Sequence, residues 1–306
     1  MSGHVPVLLS EVLALLDPQP GDRVLDATVG GGGHARELAR RIGSRGILVG
    51  VDRDDNAIDA ARDALSDVEA TVYLKRANFS ELEGELDECG QDEVDVALFD
   101  FGMSSMQVDD GERGFSFRND GPLDMRMDRR EATTAEDIVN ETPEDELADL
   151  IYRLGEERES RRIARAIVRE RLKERIRTTV RLAALIERAK RNRRGRIHPA
   201  TKVFQALRMA VNREIESLTA ALEAAWRRLA PGGRMAAISF HSIEDRIVKN
   251  VFRDKAKAGE AELLTKKVVR ASEEECERNP RSRSAKLRVL RRPPIIADGG
   301  GEDAVS

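Results

Sequence analysis

The chain has 306 residues, about twice the length of a typical domain, and 40% of them are hydrophobic, which excludes a small stapled scaffold and wholesale disorder. Its two cysteines, Cys89 and Cys276, lie far apart with no Cys or His at metal-ligand spacing, so we expect no disulfide, no bound metal and a reducing, cytoplasmic location. The 52 basic and 56 acidic residues give a net charge of −4, which by itself argues against a phosphate-rich partner.

Strands and helices are predicted to alternate over the first hundred residues. Residues 23–27 form a short apolar strand, which is followed by Gly30 to Gly33 and by a helical pattern over 34–41. Further strands are predicted over 47–52, 71–74 and 94–100, and further helices over 56–65 and 80–88. This order is typical of a parallel sheet with right-handed crossovers.

About a hundred residues then interrupt the alternation. Residues 102–130 show no periodicity, and 134–190 are predicted to form several charged amphipathic helices. We therefore predict an α/β protein of the doubly wound, Rossmann-like class with a helical insertion. The sheet domain would comprise residues 1–103 and 205–306, and the insertion residues 104–204.

The last third of the chain returns to the sheet. A long helix is predicted over 201–229, closed by the turn Pro231-Gly-Gly233. A strand over 234–239 and a helix over 243–252 follow. Two β-like runs, 264–269 and 286–290, are expected to close the sheet as an antiparallel pair.

Charge is segregated along the sequence. Residues 1–100 hold 9 basic and 21 acidic residues, 101–150 hold 5 and 14, and 161–200 hold 15 and 3, so the last segment carries +12. A second run from Arg278 to Arg292 contains seven basic residues and no acid. With few acids near either patch, we expect the two patches to bind one polyanion. The alternative is a solvated, Arg-rich helical surface.

Three acids follow predicted strands directly. Asp26, Asp52 and Asp100 should meet at the carboxyl ends of the strands, where open α/β sheets bind ligands. A glycine run after a strand also occurs in dinucleotide oxidoreductases, but acids would repel a pyrophosphate. S-adenosylmethionine is complementary to them, because it presents a sulfonium, an ammonium and ribose hydroxyls. The alternative is that these acids cap helices.

Long motifs, in the same order, resemble one protein family. They are His4-Val-Pro-Val-Leu-Leu9 with Glu11, Asp26-Ala-Thr-Val-Gly-Gly-Gly-Gly-His34, Asp100-Phe-Gly-Met-Ser-Ser-Met-Gln107, Arg113-Gly-Phe-Ser-Phe117, Gly121-Pro-Leu-Asp-Met-Arg-Met127, His198-Pro-Ala-Thr-Lys-Val-Phe-Gln-Ala-Leu-Arg208, Asn212, Ser239-Phe-His-Ser-Ile-Glu-Asp-Arg246 and Arg281-Ser-Arg-Ser-Ala-Lys-Leu-Arg288. Over almost its whole length the chain resembles the bacterial ribosomal RNA small-subunit methyltransferase H family, also called MraW.

The resemblance implies a class I methyltransferase that transfers a methyl group from S-adenosylmethionine to the exocyclic N4 of a cytidine in the decoding region of 16S rRNA. It also implies the residues that bind the cofactor: Gly32, Gly33 and His34 at the methionine end, Asp52 at the ribose, Phe79 near the adenine, and Asp100 and Gln107. The family usually has Asp-Leu-Gly-Val-Ser-Ser where this chain has Asp100-Phe-Gly-Met-Ser-Ser105, which changes only local packing.

Methylation of an exocyclic amine requires an aligned methyl donor and an acceptor for the amine hydrogens. Asp100 is the candidate acceptor, although it would serve equally well as a cofactor contact alone. Ser104 and His241 are weaker catalytic candidates. His241 would alternatively donate a hydrogen bond to RNA, the role we favour for it, or hold the turn after the fifth strand. Methylation of a ring carbon uses a cysteine nucleophile, and neither cysteine lies in a setting that favours a thiolate.

The insertion, residues 104–204, is a candidate RNA-recognition domain, and RNA contacts are predicted in three places. Phe115 and Phe117 suit stacking on a base lifted from its neighbours, with a role in a core as the alternative. The arginines concerned are Arg191, Arg193, Arg194 and Arg196 in the insertion and Arg281 and Arg283 near the carboxyl end.

Three other functions remain open from the sequence: a methyltransferase acting on another RNA or on a non-RNA substrate, an NAD-dependent dehydrogenase, and a non-catalytic RNA-binding factor. The expected partner is 16S rRNA within the small subunit or an assembly intermediate. No membrane partner is expected, because no run approaches the ~20 apolar residues that span a bilayer. The oligomeric state is left open.

Overall fold

The computed structural model describes residues 6–103, 105–191 and 197–295. Its strands are β1 Arg23–Asp26, β2 Ile47–Asp52, β3 Thr71–Arg76, β4 Val94–Asp100, β5 Leu229–Ser239, β6 Glu262–Leu263 and β7 Lys286–Arg291. Its helices are α1 Leu9–Leu16, α2 Gly33–Ile42, α3 Asp55–Ala64, α4 Leu82–Glu88, α5 Ser105–Asp109, α6 Ala135–Glu141, α7 Glu144–Gly155, α8 Ser160–Arg171, α9 Thr179–Ala189, α10 Thr201–Val211, α11 Glu214–Arg228, α12 Ser242–Lys257 and α13 Glu273–Arg278.

The seven strands form one sheet in the order β3-β2-β1-β4-β5-β7-β6. The first five strands are parallel, and β7 runs antiparallel to both β5 and β6. Apolar clusters cover both faces of the sheet, which explains why β1, β2 and β4 are nearly continuous apolar runs. The predicted doubly wound α/β class is confirmed. The strand order reverses between β1 and β4, the point where such sheets bind ligands.

The long helix predicted over 201–229 is wrong, because the chain forms two helices there. α10 ends at Val211 and α11 begins at Glu214, with Arg213 in the left-handed region at φ 47°. The break is stabilised by the Asn212 side chain, which donates to the carbonyl oxygen of Met125 and accepts from the backbone N–H of Met127. These contacts lie more than eighty residues away along the chain.

Two other predictions near the carboxyl end need correction. Pro231-Gly-Gly233 does not form a turn between a helix and a strand, because β5 already begins at Leu229 and contains it. The pairing of β4 with β5 shifts register at this point, and an irregular strand of this kind accommodates proline. Of the strand predicted over 264–269, only a bridge from Val269 to Leu287 is present, and the short β6 lies just before this range, at Glu262–Leu263. Its antiparallel direction is confirmed.

The helices between β4 and β5 enclose a hydrophobic cluster separate from those of the sheet. Leu123, Ile151, Ile163 and Ile186 lie in this cluster together with Val203, Phe204 and Leu207 of α10. The cluster therefore includes residues on both sides of the predicted boundary at 204, and the domain division stays a prediction.

No helix in the described ranges is long and apolar enough to cross a membrane.

Candidate active site

The turn after β1 depends on glycine. Gly30 and Gly32 adopt positive φ angles of 49° and 78°. A Cβ atom on Gly33, the first residue of α2, would lie 2.7 Å from the Cγ of Pro6. Glycine at position 33 therefore makes room for Pro6, and the turn lies at the carboxyl edge of the sheet, beside the point where the strand order reverses.

The structure brings the three predicted acids to this edge. Asp26 is 1% exposed and accepts a hydrogen bond from the backbone N–H of Thr28. Asp52 accepts from the backbone N–H groups of Gly30 and Asp54, both at 3.0 Å. Asp54, and not Asp52, caps α3, so the capping alternative is wrong for Asp52.

Asp100 lies at the end of β4 opposite His34. The Oδ2 atom of Asp100 is 3.5 Å from Nδ1 of His34, and the Nε2 atom of His34 is 2.9 Å from the carbonyl oxygen of Val7. Since a carbonyl oxygen only accepts, Nε2 carries the proton and Nδ1 of the neutral ring is an acceptor. A protonated Asp100 can donate a hydrogen bond to this nitrogen.

Burial and neighbouring acids raise the pKa values of two of these carboxyl groups. Burial, reinforced by the charges of Asp26 and Glu244, raises the pKa of Asp100 to about 8. Burial also raises the pKa of Asp26 to about 7, with the charge of Asp52 adding to the effect. Among the described residues, no Lys or Arg forms an ion pair with Asp26, Asp52 or Asp100, and Oδ1 of Asp100 is buried without a hydrogen-bond partner. The edge therefore holds carboxyl groups without a basic partner among the described residues, and a bound cationic ligand would supply the positive charge.

Phe79 and Gln107 lie at the same edge. The ring of Phe79 meets the rings of Phe99 and Phe101 edge to face, with both centroid distances 6.3 Å, and the guanidinium of Arg53 lies 5.4 Å from its centroid. Gln107 is buried, and its Nε2 donates to Asp54 at 2.8 Å. Ser104 lies outside the described residues.

A model of the MraW methylase family matches residues 1–293. The chain belongs to this family. A ribosomal RNA small subunit methyltransferase H of Koribacter versatilis is 50% identical over 299 residues, covering 94% of each chain. Its counterpart from a Cyanothece strain is 49% identical over 289 residues, again covering 94% of each chain.

A solved SAM-dependent O-methyltransferase from Thermotoga maritima has 13% identity and a TM-score of 0.43, covering 97% of this chain and 70% of that one. That likeness is too low to bear on function. The family match confirms the resemblance read from the motifs and shows a methylase that uses S-adenosylmethionine. It argues against the dehydrogenase alternative.

His241 of this methylase caps α12. Its Nδ1 accepts from the backbone N–H of Glu244, and its Nε2 is 2.9 Å from Oε1 of the same residue. This geometry supports the role of holding the turn, and a catalytic role stays a prediction.

Within the described ranges, Glu214, His241 and Glu244 are grouped closely enough to hold a metal. The guanidinium of Arg208 already supplies a cation, because it donates to both carboxylate oxygens of Glu214 at 2.8 Å.

The two predicted stacking aromatics lie in or against the core of the insertion. Phe115 is 6% exposed, with the guanidinium of Arg113 at 5.7 Å from its ring. Phe117 contacts the rings of His198 and Phe204, at centroid distances of 4.5 and 4.9 Å. Burial favours the core alternative for Phe115, since stacking on a base requires an accessible ring face.

The expectation that few acids neutralise the basic segment is wrong. Arg193, Arg194 and Arg196 lie outside the described residues, and Arg191 is exposed. Folding brings acids against the basic residues that precede them. The pairs are Arg161 with Asp149, Arg165 with Glu144, Lys173 with Glu170, Arg175 with Glu136, Asp137 and Glu141, Arg181 with Glu170 and Glu174, and Lys190 with Glu157.

Most of the second basic run is also paired with acids. One end of it lies near the carboxyl edge of the sheet, where the cleft for a ligand would lie. Lys286 and Arg288 pair with Asp245, and Arg291 pairs with Glu262. Arg281 lies 3.5 Å from Asp109 at the end of α5, the short helix that carries Gln107. The neighbouring Arg283 is exposed. Arg281 is therefore brought to the rim of the acidic edge, the carboxyl edge of the sheet where Asp26, Asp52 and Asp100 lie.

Proposed function

We propose that this methylase transfers the methyl group of S-adenosylmethionine to the exocyclic N4 of a cytidine in the decoding region of 16S rRNA. The observation that carries the proposal is Asp100, whose buried Oδ1 has no hydrogen-bond partner among the described residues, at the edge where Asp26 and Asp52 also end their strands. The names of the relatives, which specify the RNA of the small ribosomal subunit, support the substrate class.

The residues at the edge fit the cofactor. Bound S-adenosylmethionine supplies an electrophilic methyl group on a sulfonium. The turn at Gly32 and Gly33 admits the methionine end close to backbone, and the carboxylate of Asp52 is placed to accept from the ribose hydroxyls. Phe79 offers an apolar face for the adenine, beside Gln107.

Asp100 is suited to the exchange of a proton at the cleft. Its raised pKa reflects burial and the neighbouring acids, so a cationic ligand at the edge would favour the ionised carboxylate. The ionised Oδ1 can then accept an N–H of the cytosine amine and hold its lone pair toward the methyl group. Before the ligand binds, Oδ2 of the protonated Asp100 can donate to Nδ1 of His34, which lies 3.5 Å away.

The cysteines favour the amine over a ring carbon. Cys89 precedes β4, whereas the cleft lies beyond the other end of that strand, and seven residues span roughly 20 Å. Burial raises the pKa of the Cys89 thiol, which disfavours a nucleophilic thiolate. Cys276 lies on α13 among four glutamates.

The test is methylation in vitro followed by mass spectrometry of nucleosides. Purified protein and S-adenosylmethionine are incubated separately with free 16S rRNA, with assembly intermediates and with complete small subunits. We expect N4-methylated cytidine in rRNA, and the arm with the fastest turnover identifies the physiological partner. A role in ribosome maturation would place the protein in the cytoplasm. Formation of 5-methylcytidine, or transfer only to another RNA or a non-RNA acceptor, would overturn the proposal.

A further inference from the structure

Asp54 is a buried carboxylate that connects the acidic edge to the helical insertion. It is 4% exposed and lies two residues after Asp52. Its backbone N–H donates to Oδ1 of Asp52 at 3.0 Å, and its own Oδ1 accepts from the backbone N–H of Asn56 at the start of α3. The position of the Asp52 carboxylate is therefore tied to that of Asp54.

Asp54 also orients Gln107. The Nε2 atom of Gln107 donates to Oδ2 of Asp54 at 2.8 Å. A carboxylate accepts only, so this contact decides which face of the amide carries the N–H₂ group. Two residues placed at the cofactor by the proposed function, Asp52 and Gln107, thus share one neighbour.

Arg113 binds the other side of Asp54. It is 3% exposed; its Nη1 lies 3.3 Å from Oδ1 of Asp54 and its Nη2 lies 3.0 Å from Oδ2. The same Nη2 donates to the carbonyl oxygens of Arg126 and Met127, both at 3.0 Å. One guanidinium therefore joins the loop after β2 to the segment that leads into the insertion helices.

A second connection runs parallel to the first. Asn212, at the break between α10 and α11, holds Met125 and Met127 through its side chain. The carbonyl oxygen of Asn212 accepts from Nη1 of Arg53 at 3.0 Å, and the Arg53 guanidinium lies over Phe79. Residues 125–127 are thus fixed from two sides, and both connections end beside Asp52.

We propose that Asp54 and Arg113 are positioning residues that set Asp52 and Gln107 for the cofactor and couple cofactor affinity to the placement of the insertion. The inference rests on the proposed function, since it takes Asp52 and Gln107 as cofactor contacts. Removing one partner leaves the other as a buried, uncompensated charge, which displaces the loop after β2. Because coupling between two sites is reciprocal, cofactor binding in turn steadies residues 121–130.

The first test measures the affinity of S-adenosylmethionine by calorimetry in the full chain. Arg113→Gln and Asp54→Asn should each weaken binding by about tenfold. The double variant should weaken it by less than the product of the two, since neither charge is then left alone. Arg126→Gln is the control from the same segment: it removes the bonds of the Arg126 side chain to Asp124 and to the carbonyl oxygens of Arg129 and Glu131, but it leaves the contact of Arg113 with Asp54 in place. It should change the affinity by less than about twofold.

The second test is hydrogen exchange. In the wild type, S-adenosylmethionine should slow exchange over residues 121–130, and Arg113→Gln should abolish this protection while the sheet remains protected. If Arg113→Gln fails to fold, Arg113→Lys, which keeps the charge and fewer donors, should give an intermediate loss of affinity.

Unchanged affinity and unchanged protection in a folded Arg113 variant would overturn the inference, as would an equal loss in Arg126→Gln. A wild type that does not bind S-adenosylmethionine would instead overturn the proposed function.

Discussion

The acidic edge and the insertion use carboxylates in opposite ways. At the edge, Asp26 and Asp100 have raised pKa values because burial and neighbouring acids disfavour their charged forms. In the insertion, Arg175 binds Glu136, Asp137 and Glu141, and hydrogen bonding to Glu136 raises the pKa of Arg175. Carboxyl groups whose charge the protein leaves unbalanced indicate a ligand site, whereas balanced ones indicate a scaffold.

The comparison also changes how the charge of the sequence is understood. A segment of +12 predicts a strong field for a polyanion, but exposed ion pairs cancel much of it in the fold. Such pairs contribute little to stability, typically ~0–1 kcal/mol each. Their main effect is to leave fewer positively charged side chains without an acidic partner; within the described ranges, Arg283 is one of them.

The largest effect is expected from Asp100→Asn. The amide keeps the shape but cannot accept a proton as a carboxylate does, so kcat should fall by about 100-fold or more. Single-turnover methylation of rRNA measures it. The double variant Cys89→Ser, Cys276→Ser is the control and should keep its turnover. An inactive but folded cysteine-free variant would contradict methylation of the amine.

Asp52→Ala should weaken binding of S-adenosylmethionine by about 1.5 to 3 kcal/mol, because a charged acceptor for the ribose hydroxyls is lost. Calorimetry measures the change. Asp67→Ala, which removes only the exposed partner of Arg36, should leave affinity unchanged. Equal affinities in the wild type and the Asp52 variant would show that the ligand binds elsewhere.

Asp26→Asn should stabilise the free protein at high pH. The folded Asp26 and Asp100 keep protons up to about pH 7 and 8, while the unfolded carboxyl groups ionise near ~4. The folded state therefore binds more protons, and wild-type stability falls as the pH rises through this window. The variant should gain on the order of 2 kcal/mol at pH 8.5, and the gain should shrink toward pH 4.

Asp95→Asn, on the neighbouring strand β4, is the opposite case. Although burial opposes it, hydrogen bonds from Arg23 hold the pKa of Asp95 below its usual value. That variant should lose stability above about pH 4, the unfolded pKa, and the loss should disappear in acid. Melting temperatures measured across pH test both variants, and a matching trend in the two would contradict the assignment of an uncompensated acidic edge.

The smallest effect concerns RNA. Neutralising Arg191, Arg193, Arg194 and Arg196 should flatten the dependence of RNA affinity on salt by about one unit for each arginine that contacts a phosphate. Affinity for S-adenosylmethionine should barely change. Arg161→Gln with Arg165→Gln, whose side chains are already paired with acids, should leave the salt slope as it is. An unchanged slope in the first variant would reduce the cluster to a solvated surface.

The sequence predicts the parts of the fold that local signals determine. β2 and β4 have the predicted bounds, and β1 differs by one residue, because each is an apolar run ended by a polar residue and a turn. The same signals place Asp26, Asp52 and Asp100 at strand ends, and parallel strands bring such ends to one edge. The long family motifs added predicted cofactor contacts that the pattern of strands does not specify.

The tertiary structure alone decided what depends on residues distant in the chain. α10 and α11 have a continuous helical pattern, and the break at Asn212 follows from contacts with Met125 and Met127. The pairing of Asp54 with Arg113 has no local signature, since an acid beside a helix start is normally read as a cap alone. The basic segment lost much of its field for the same physical reason: electrostatic energy depends on distance in space, and folding placed its neutralising acids closer than the sequence did.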